Sequence, residues 1–325
     1  MAFGRVTVAL AGDDTALVTR IIQAYRRAAE TPLGSEDSFW LQDFARRKRD
    51  IHLALLGDDF EAVRALLRDP GESELFYGFD NLTKSLADRP EDPEHHAEGM
   101  LDQLAQLSEA LGGRRARSPE HPVEGWDVEV LLAEIDDVLG VRVDFPNPFM
   151  GEFGLASSRG VISYRAVHAI YQAWRVRQLA RGRVLEIGGG LGRTAYYAWR
   201  LGVRDYTLID LPMTGVAQAD FLGRSVDVEL FGEATAGGVR ILAPAAFLEQ
   251  SDHYDLVLNV DSLTEMAAET AQAYCDAAAA RGRLLLSINH EVGRFRARDM
   301  FKGALLSRAP YWLRRGYVEE LSGRW

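Results

Sequence analysis

The stretch from Arg183 to Asp210, RVLEIGGGLGRTAYYAWRLGVRDYTLID, decides the fold of this chain. Its apolar start, residues 184–187, is typical of a buried parallel strand and runs into a glycine-rich turn. The pattern then predicts a helix over 194–201 and a second strand over 206–209, which Asp210 closes. This order of strand, glycine turn, helix, strand and acid is typical of a doubly wound α/β sheet, which binds its ligand at the carboxyl ends of the strands.

The spacing of the glycines indicates which ligand such a sheet would bind. Dinucleotide-binding turns follow Gly-x-Gly-x-x-Gly, whereas these glycines stand at 188, 190 and 192, with Gly189 between them and Glu186 ahead of them. Glycines let the backbone pass close to a ligand, and the acid favours a cation over a pyrophosphate. The pattern acid-x-Gly-x-Gly-x-Gly resembles the first motif of class I S-adenosylmethionine-dependent methyltransferases.

The resemblance implies that S-adenosylmethionine is the cofactor. Asp210 is placed to accept hydrogen bonds from both ribose hydroxyls. Asn259 interrupts an apolar strand, where a polar side chain is costly unless it is paired, so we expect it to contact the cofactor or the loop at the strand end. The predicted cofactor-binding residues are Glu186, Gly188, Gly189, Gly190, Gly192, Asp210, Leu211 and Asn259.

Composition and charge narrow the class of protein. The chain has 325 residues, enough for two domains, and a net charge of −11, which disfavours nucleic acid and anionic membranes as partners. A single cysteine, Cys275, excludes an internal disulfide, and its alanine-rich surroundings indicate a small buried side chain. No apolar run is long enough for a signal peptide or a membrane span, so we expect a cytoplasmic enzyme.

Helical periodicity dominates the first half of the chain, and strands dominate the second. We expect residues 1–155 to form an all-helical domain that lines the substrate or mediates dimerisation, and 156–325 to form the cofactor-binding domain. Further strands are predicted over 239–242, 255–260 and 283–288. The tail, 311–321, is predicted to supply two antiparallel strands, which completes a seven-stranded, doubly wound Rossmann-like sheet.

Several segments resemble bacterial sugar O-methyltransferases, and the likeness runs from Leu67 to the end of the chain. These segments are LRDP (67–70), LFYGFD (75–80), YQAWR (171–175), EIGGG (186–190), IDLP (209–212) and SLTEM (262–266). The resemblance implies methylation of a hydroxyl on a sugar or on a sugar-containing small molecule.

Methylation of a hydroxyl calls for a base near the carboxyl ends of the strands. The candidates are Asp261 and Glu265 after the fourth strand, and His290 and Glu291 after the fifth. His290 is predicted to be the base because imidazole titrates near neutral pH, and Glu265 is predicted to orient the acceptor or to cap the next helix. No spacing of ligands demands a metal.

Three alternatives stay open at this point. The chain could methylate nitrogen or carbon of another small metabolite, or it could be a catalytically silent, cofactor-binding partner subunit. Its helical half could also form a homodimer.

Overall fold

The structure is a computed structural model that describes residues 3–7, 14–31, 39–80, 93–113, 127–234, 237–293 and 295–323. Within these ranges the strands are β1 (Phe3–Arg5), β2 (Phe153–Ser157), β3 (Gly160–Ile162), β4 (Val184–Ile187), β5 (Asp205–Ile209), β6 (Val228–Glu229), β7 (Gly238–Leu242), β8 (Tyr254–Val260), β9 (Gly282–His290), β10 (Ala304–Pro310) and β11 (Tyr317–Gly323). The α-helices are α1 (Thr15–Ala29), α2 (Phe39–Arg47), α3 (Arg49–Leu56), α4 (Phe60–Arg68), α5 (Pro93–Ala110), α6 (Val128–Leu139), α7 (Tyr164–Leu179), α8 (Arg193–Arg200), α9 (Pro212–Gly223), α10 (Pro244–Glu249), α11 (Ala268–Arg281) and α12 (Ala297–Met300). None of these helices has the length and the apolar character needed to cross a membrane.

Eight of the described strands form the central sheet, in the order β10-β11-β9-β8-β4-β5-β7-β6. β4 pairs in parallel with β5 on one side and with β8 on the other, so the order of the strands reverses direction at β4. Ligands of doubly wound sheets bind at the carboxyl ends of the strands beside such a reversal. The predicted doubly wound α/β sheet is therefore confirmed, with β4 at its switch point.

Two details of the predicted sheet are wrong. The sheet has eight strands in the described residues instead of seven, because β6 is an edge strand of two residues and too short to leave a pattern in the sequence. The tail does not hold two strands within 311–321: β10 ends at Pro310, and only β11 runs antiparallel to its neighbour β9. Tyr311 and Leu313 are both buried and stand two positions apart, which gives the alternating pattern of a strand. Both nevertheless lie in the turn between β10 and β11.

Alternation along β4 directs its side chains into two separate cores. Val184 joins a core cluster that includes residues of α1, α7 and α9, and Leu185 and Ile187 face the core beneath α11. Cys275 belongs to that second core and is buried as the sequence indicated. A strand covered on both faces must be apolar throughout, which makes Glu186 within β4 a costly exception.

The first 155 residues are not all helical. β1 pairs antiparallel with β2, which pairs with β3, and the three strands form a separate small sheet. β1 has only three residues and owes its conformation to hydrogen bonds with β2, about 150 positions later, so local sequence carries little sign of it. The region packs on helices of the second half: α1 packs on α9, α5 packs on α7, and Arg20 of α1 forms an ion pair with Glu233. The domain boundary at 155/156 stays a prediction.

A buried ion-pair triad fastens the glycine turn to the N-terminal region. Arg193, the first residue of α8, contacts Asp80 at 2.9 Å and Glu152 at 2.5 Å, and all three side chains are almost fully buried. Burial opposes the charge of Arg193, but the two carboxylates raise the pKa of its guanidinium. Burial raises the pKa of Glu152 to about 7, against the attraction of Arg193. The triad thereby joins three chain segments at one point.

Replacing Arg193 with methionine is expected to lower the free energy of unfolding by about 3–5 kcal/mol, because two buried acids would lose their cation. Urea denaturation measures the change. Arg200→Met, on the same helix, is the matched control, since its ion pair with Asp144 is exposed and worth about 1 kcal/mol or less. Equal losses in the two variants would contradict the importance of the triad.

Candidate functional site

A cavity opens at the carboxyl ends of β4, β5 and β8, at the switch point of the sheet. Its floor is the glycine turn, residues 188–190, and its walls include Asp210 after β5 and Asp261 after β8. The N-terminal region covers it with Phe44 and Phe79. We refer to this space as the switch-point cavity.

The glycines of the turn serve different physical needs. The φ angles of Gly188, Gly190 and Gly192 are +71°, +55° and +90°. Residues with a side chain rarely adopt this left-handed region, whereas glycine adopts it readily. Gly189 is needed for packing, because a Cβ there would come within 2.5 Å of Leu208 Cδ2. At Gly190 the nearest atom to such a Cβ is Phe79 Cβ at 3.5 Å, so a side chain there would occupy the floor of the cavity without a protein clash.

Glu186 is held at the cavity as a buried acid. Its relative exposure is 3%, and its carboxylate accepts a hydrogen bond of 2.8 Å from the Tyr206 hydroxyl. Burial raises the pKa of Glu186 to about 7; the bond from Tyr206 acts against this rise, and the charge of Asp210 adds to it. A cation in the cavity would favour the ionised form of this acid.

Asp210 organises the glycine turn. Its Oδ2 accepts hydrogen bonds from the Gly190 backbone amide and from Gln218 Nε2, both at 3.1 Å, and its Oδ1 accepts one of 2.8 Å from the Leu211 amide. The Thr214 side chain adds a further hydrogen bond, so the carboxylate meets four donors within the protein. Burial raises the pKa of Asp210 to about 7, and Lys48 acts in the opposite direction.

Lys48 is a part of the site that sequence reasoning missed. It is fully buried, and its Nζ donates a hydrogen bond of 2.7 Å to the Leu75 carbonyl. The same Nζ lies 3.8 Å from the ring centre of Phe44 and 4.6 Å from that of Phe79. Burial lowers the pKa of Lys48 to about 7. Lys48 stands within a run of charged residues that resembles a solvated surface, so no local signal identified it.

Asn259 is not among the residues that line the switch-point cavity, and its role as a cofactor contact stays a prediction. It is fully buried, and its Nδ2 donates to the Ile187 carbonyl at 2.9 Å and to Ser262 Oγ at 2.6 Å. Its Oδ1 accepts a bond of 3.0 Å from Asn289 Nδ2. The alternative that Asn259 supports the loop at the strand end fits these contacts, because all its polar groups are paired within the protein.

Asp261 is the candidate base that the structure places in the cavity wall. Among the residues other than glycine that the structure describes, only Asp261 has a positive φ, +65°. Strained conformations of this kind often occur at functional positions. The Tyr317 hydroxyl donates one hydrogen bond to this carboxylate and lies 2.8 Å from Oδ2 and 2.9 Å from Oδ1, while Arg314 Nη1 lies 3.3 Å from Oδ2. Glu265 also lines the cavity, with an exposed side chain.

His290 is not among the residues that line the cavity, so its role as the base stays a prediction. Its Nε2 lies 3.8 Å from Asp261 Oδ1 and 3.5 Å from Thr264 Oγ1, and its ring packs edge-on against Tyr317. His290 is therefore a neighbour of Asp261. Glu291 points elsewhere and pairs with Arg308. Among the described residues, no cluster of three His, Cys, Asp or Glu side chains could hold a metal ion.

No protein-family model matches the chain, and no curated protein matches it. Solved structures resemble about half of it. Magnesium protoporphyrin IX methyltransferase from Synechocystis, solved with bound S-adenosylmethionine, is 16% identical, with 50% of this chain and 78% of that chain covered and a TM-score of 0.37. A TehB-like S-adenosylmethionine-dependent methyltransferase from Corynebacterium glutamicum is 15% identical, with 47% and 87% covered and a TM-score of 0.37. Likenesses this distant carry no argument about activity.

The pKa of Glu186 is expected to shift in opposite directions in two variants. Tyr206→Phe removes a hydrogen bond to the carboxylate, so the pKa of Glu186 should rise above about 7; Asp210→Asn removes a nearby negative charge, so it should fall. ¹³C NMR of the glutamate carboxyl carbons during a pH titration measures both shifts. Tyr254→Phe is the control, since that hydroxyl contacts Gln250 instead. Shifts of the same sign in both variants would contradict the assignment.

Proposed function

We propose that this chain is an S-adenosylmethionine-dependent methyltransferase that methylates a hydroxyl of a small molecule. One observation carries the proposal: a cavity at the switch point of a doubly wound sheet joins a bare glycine floor to two buried acids, Glu186 and Asp210. The acids favour a cationic ligand over a pyrophosphate, and S-adenosylmethionine carries both an ammonium and a sulfonium.

The residues of the cavity fit this cofactor. Gly190 leaves uncovered the part of the floor that a Cβ would fill, and the buried carboxylate of Asp210 lines the cavity beside it. Leu211 and Pro244 line the same end of the cavity and offer apolar surface to a flat ring. Glu186, the glycines 188–190 and 192, Asp210 and Leu211 therefore remain the proposed cofactor-binding residues.

When it is bound, the cofactor supplies an electrophilic methyl group. The protein contributes position, exclusion of water and a place for the proton of the acceptor. Phe44 and Phe79 shield the cavity, while Lys48 holds both rings from behind. Holding an acceptor in an aligned geometry supplies much of the catalysis in a transfer of this kind.

Asp261 is the proposed proton acceptor for the hydroxyl. It lines the cavity, and Tyr317 and Arg314 fix the orientation of its carboxylate. His290, whose Nε2 lies 3.8 Å from Asp261 Oδ1, becomes a positioning residue under this proposal, and Glu265 keeps the proposed role of placing the acceptor. This arrangement supports an oxygen acceptor, because a hydroxyl is a poor nucleophile until its proton is taken.

The sugar acceptor remains part of the proposal and draws its support from the segments that resemble sugar O-methyltransferases. Tyr164 and Tyr311 add aromatic surface to the cavity wall, which suits the apolar faces of a sugar ring. A nitrogen or carbon acceptor and a silent partner subunit are the competing outcomes. Mass spectrometry of products from a panel of candidate acceptors distinguishes them, and sedimentation analysis tests the proposed homodimer.

Gly190→Ala is expected to weaken the binding of S-adenosylhomocysteine by at least about 10-fold, because its Cβ enters the floor of the cavity. Calorimetry measures the affinity. Gly140→Ala is the matched control: its φ is +70° with no neighbour within 4 Å, so both variants carry a similar backbone cost of about 1–2 kcal/mol. Only Gly190→Ala should lose affinity. Micromolar binding of NAD with none of adenosylhomocysteine would overturn the cofactor assignment.

Asp261→Asn is expected to lower kcat by about 10²-fold or more, because asparagine cannot take the proton. Asparagine tolerates positive φ, so the variant adds little strain. His290→Ala should lower kcat by about 10-fold or less and should alter the pH profile of kcat, with cofactor affinity unchanged in both variants. Single-turnover assays with an acceptor found in the panel give these rates. A greater loss for His290→Ala than for Asp261→Asn would return the role of base to His290.

A further inference from the structure

The first two turns of α7 present polar groups to the switch-point cavity that the mechanism above does not use. Tyr164, Arg165 and His168 all line the cavity. Within the described part of the chain, neither the Tyr164 hydroxyl nor the Arg165 guanidinium has a hydrogen-bond partner, and both residues are half-buried. An unpaired cation in a cavity wall calls for a ligand of opposite charge.

A chain of hydrogen bonds determines which nitrogen of His168 carries the proton. Thr194 Oγ1 donates to Gln172 Oε1 at 2.7 Å, which leaves the amide nitrogen of Gln172 to donate to the Tyr311 hydroxyl. That hydroxyl lies 2.9 Å from His168 Nδ1, and with its oxygen accepting from Gln172 we assign its proton to the bond with Nδ1. In this assignment the proton of the neutral ring lies on Nε2, which is buried and has no partner among the residues that the structure describes.

His168 acts as a neutral donor rather than as a base. Its relative exposure is 7%, and burial together with the charges of Arg165 and Arg314 lowers its pKa to about 3. The ring thus stays neutral at physiological pH and offers one N–H group. Arg165, His168 and Arg314 all line the switch-point cavity.

The backbone of α7 adds to this preference for a negative group. Ser163 caps the helix by accepting a hydrogen bond from the Ala166 amide, and Tyr164 and Arg165 form the first helical positions. The N-terminus of a 16-residue helix carries partial positive charge and unpaired backbone N–H groups, which bind anions. The N-terminus of α7, the Arg165 cation and the buried N–H donor of His168 therefore all favour a negatively charged ligand.

We propose that Arg165 and His168, at the N-terminal end of α7, bind an anionic group of the methyl acceptor, such as a carboxylate or a phosphate. This inference rests on the proposed methyltransferase function and narrows its substrate to acids. A uronic acid or a sugar phosphate would satisfy both this subsite and the sugar proposal.

The position of the subsite favours the acceptor over the carboxylate of the cofactor itself. Gln172 marks the part of α7 beside the glycine turn, through its bond to Thr194. Arg165 lies seven residues before Gln172, about 10 Å along the helix axis. Arg314, whose charge acts on His168, contacts Asp261 at 3.3 Å, so the subsite lies near the proposed proton acceptor.

The test uses the full chain saturated with S-adenosylhomocysteine and takes acetate and inorganic phosphate as probes. Probe binding is followed through the backbone amide signals of α7 in NMR titrations. Arg165→Gln should weaken the binding of the preferred probe by about 10-fold or more, as expected for the loss of a charge-assisted hydrogen bond. Arg165→Lys should retain part of the affinity, and His168→Phe should weaken it. Arg181→Gln, an exposed change of equal charge just after α7, should have no effect.

Calorimetry with S-adenosylhomocysteine and with methylthioadenosine, which lacks the amino-acid carboxylate, identifies the source of the anion. Under the proposal, Arg165→Gln leaves both affinities within about twofold of wild type. A loss of adenosylhomocysteine affinity alone would assign Arg165 to the cofactor and overturn the proposal, as would equal probe binding by wild type and Arg165→Gln. If the wild type binds no adenosylhomocysteine, the cofactor assignment fails, and titration of the free protein with the same probes still decides whether the anion subsite exists.

Discussion

The buried contact of Arg193 with Asp80 and Glu152 is the interaction on which the rest of the site depends. Arg193 begins α8 directly after the glycine turn, Asp80 follows Phe79 of the cavity cover, and Glu152 precedes β2. A buried cation that lacks even one of its two acids would be costly, so the three segments move only together. The covered shape of the switch-point cavity follows from this constraint.

Charge divides the cavity into two regions. At the glycine turn, Glu186 and Asp210 are acids whose pKa values burial raises to about 7, a cost that a cationic ligand would offset. At the start of α7, Arg165 stands beside a neutral histidine donor. A cationic cofactor would find its complement at the glycine turn, and an anionic acceptor would find its complement at Arg165.

The candidate catalytic residues show where prediction from sequence reached its limit. Asp261, Glu265 and His290 were all identified from their positions after β8 and at the end of β9, because parallel strands bring their carboxyl ends to one edge. The pattern could not tell that Asp261 and Glu265 line the cavity and that His290 does not. Arg314 and Tyr317 orient Asp261 from more than 50 positions away, and they belong to a part of the tail whose strands were misplaced.

The sequence by itself determined β4, the glycine turn, α8, β5 and their doubly wound arrangement, because apolar runs, glycine conformation and short-range order act over a few residues. It also identified the acids at 186 and 210, since they interrupt or end those runs. The tertiary structure was needed to show that Lys48 contacts the rings of Phe44 and Phe79, that Asn259 is paired within the protein and that Asp261, but not His290, lines the cavity. These outcomes depend on packing between segments far apart in the chain, where burial and pairing, rather than local preference, set the free energy of each side chain.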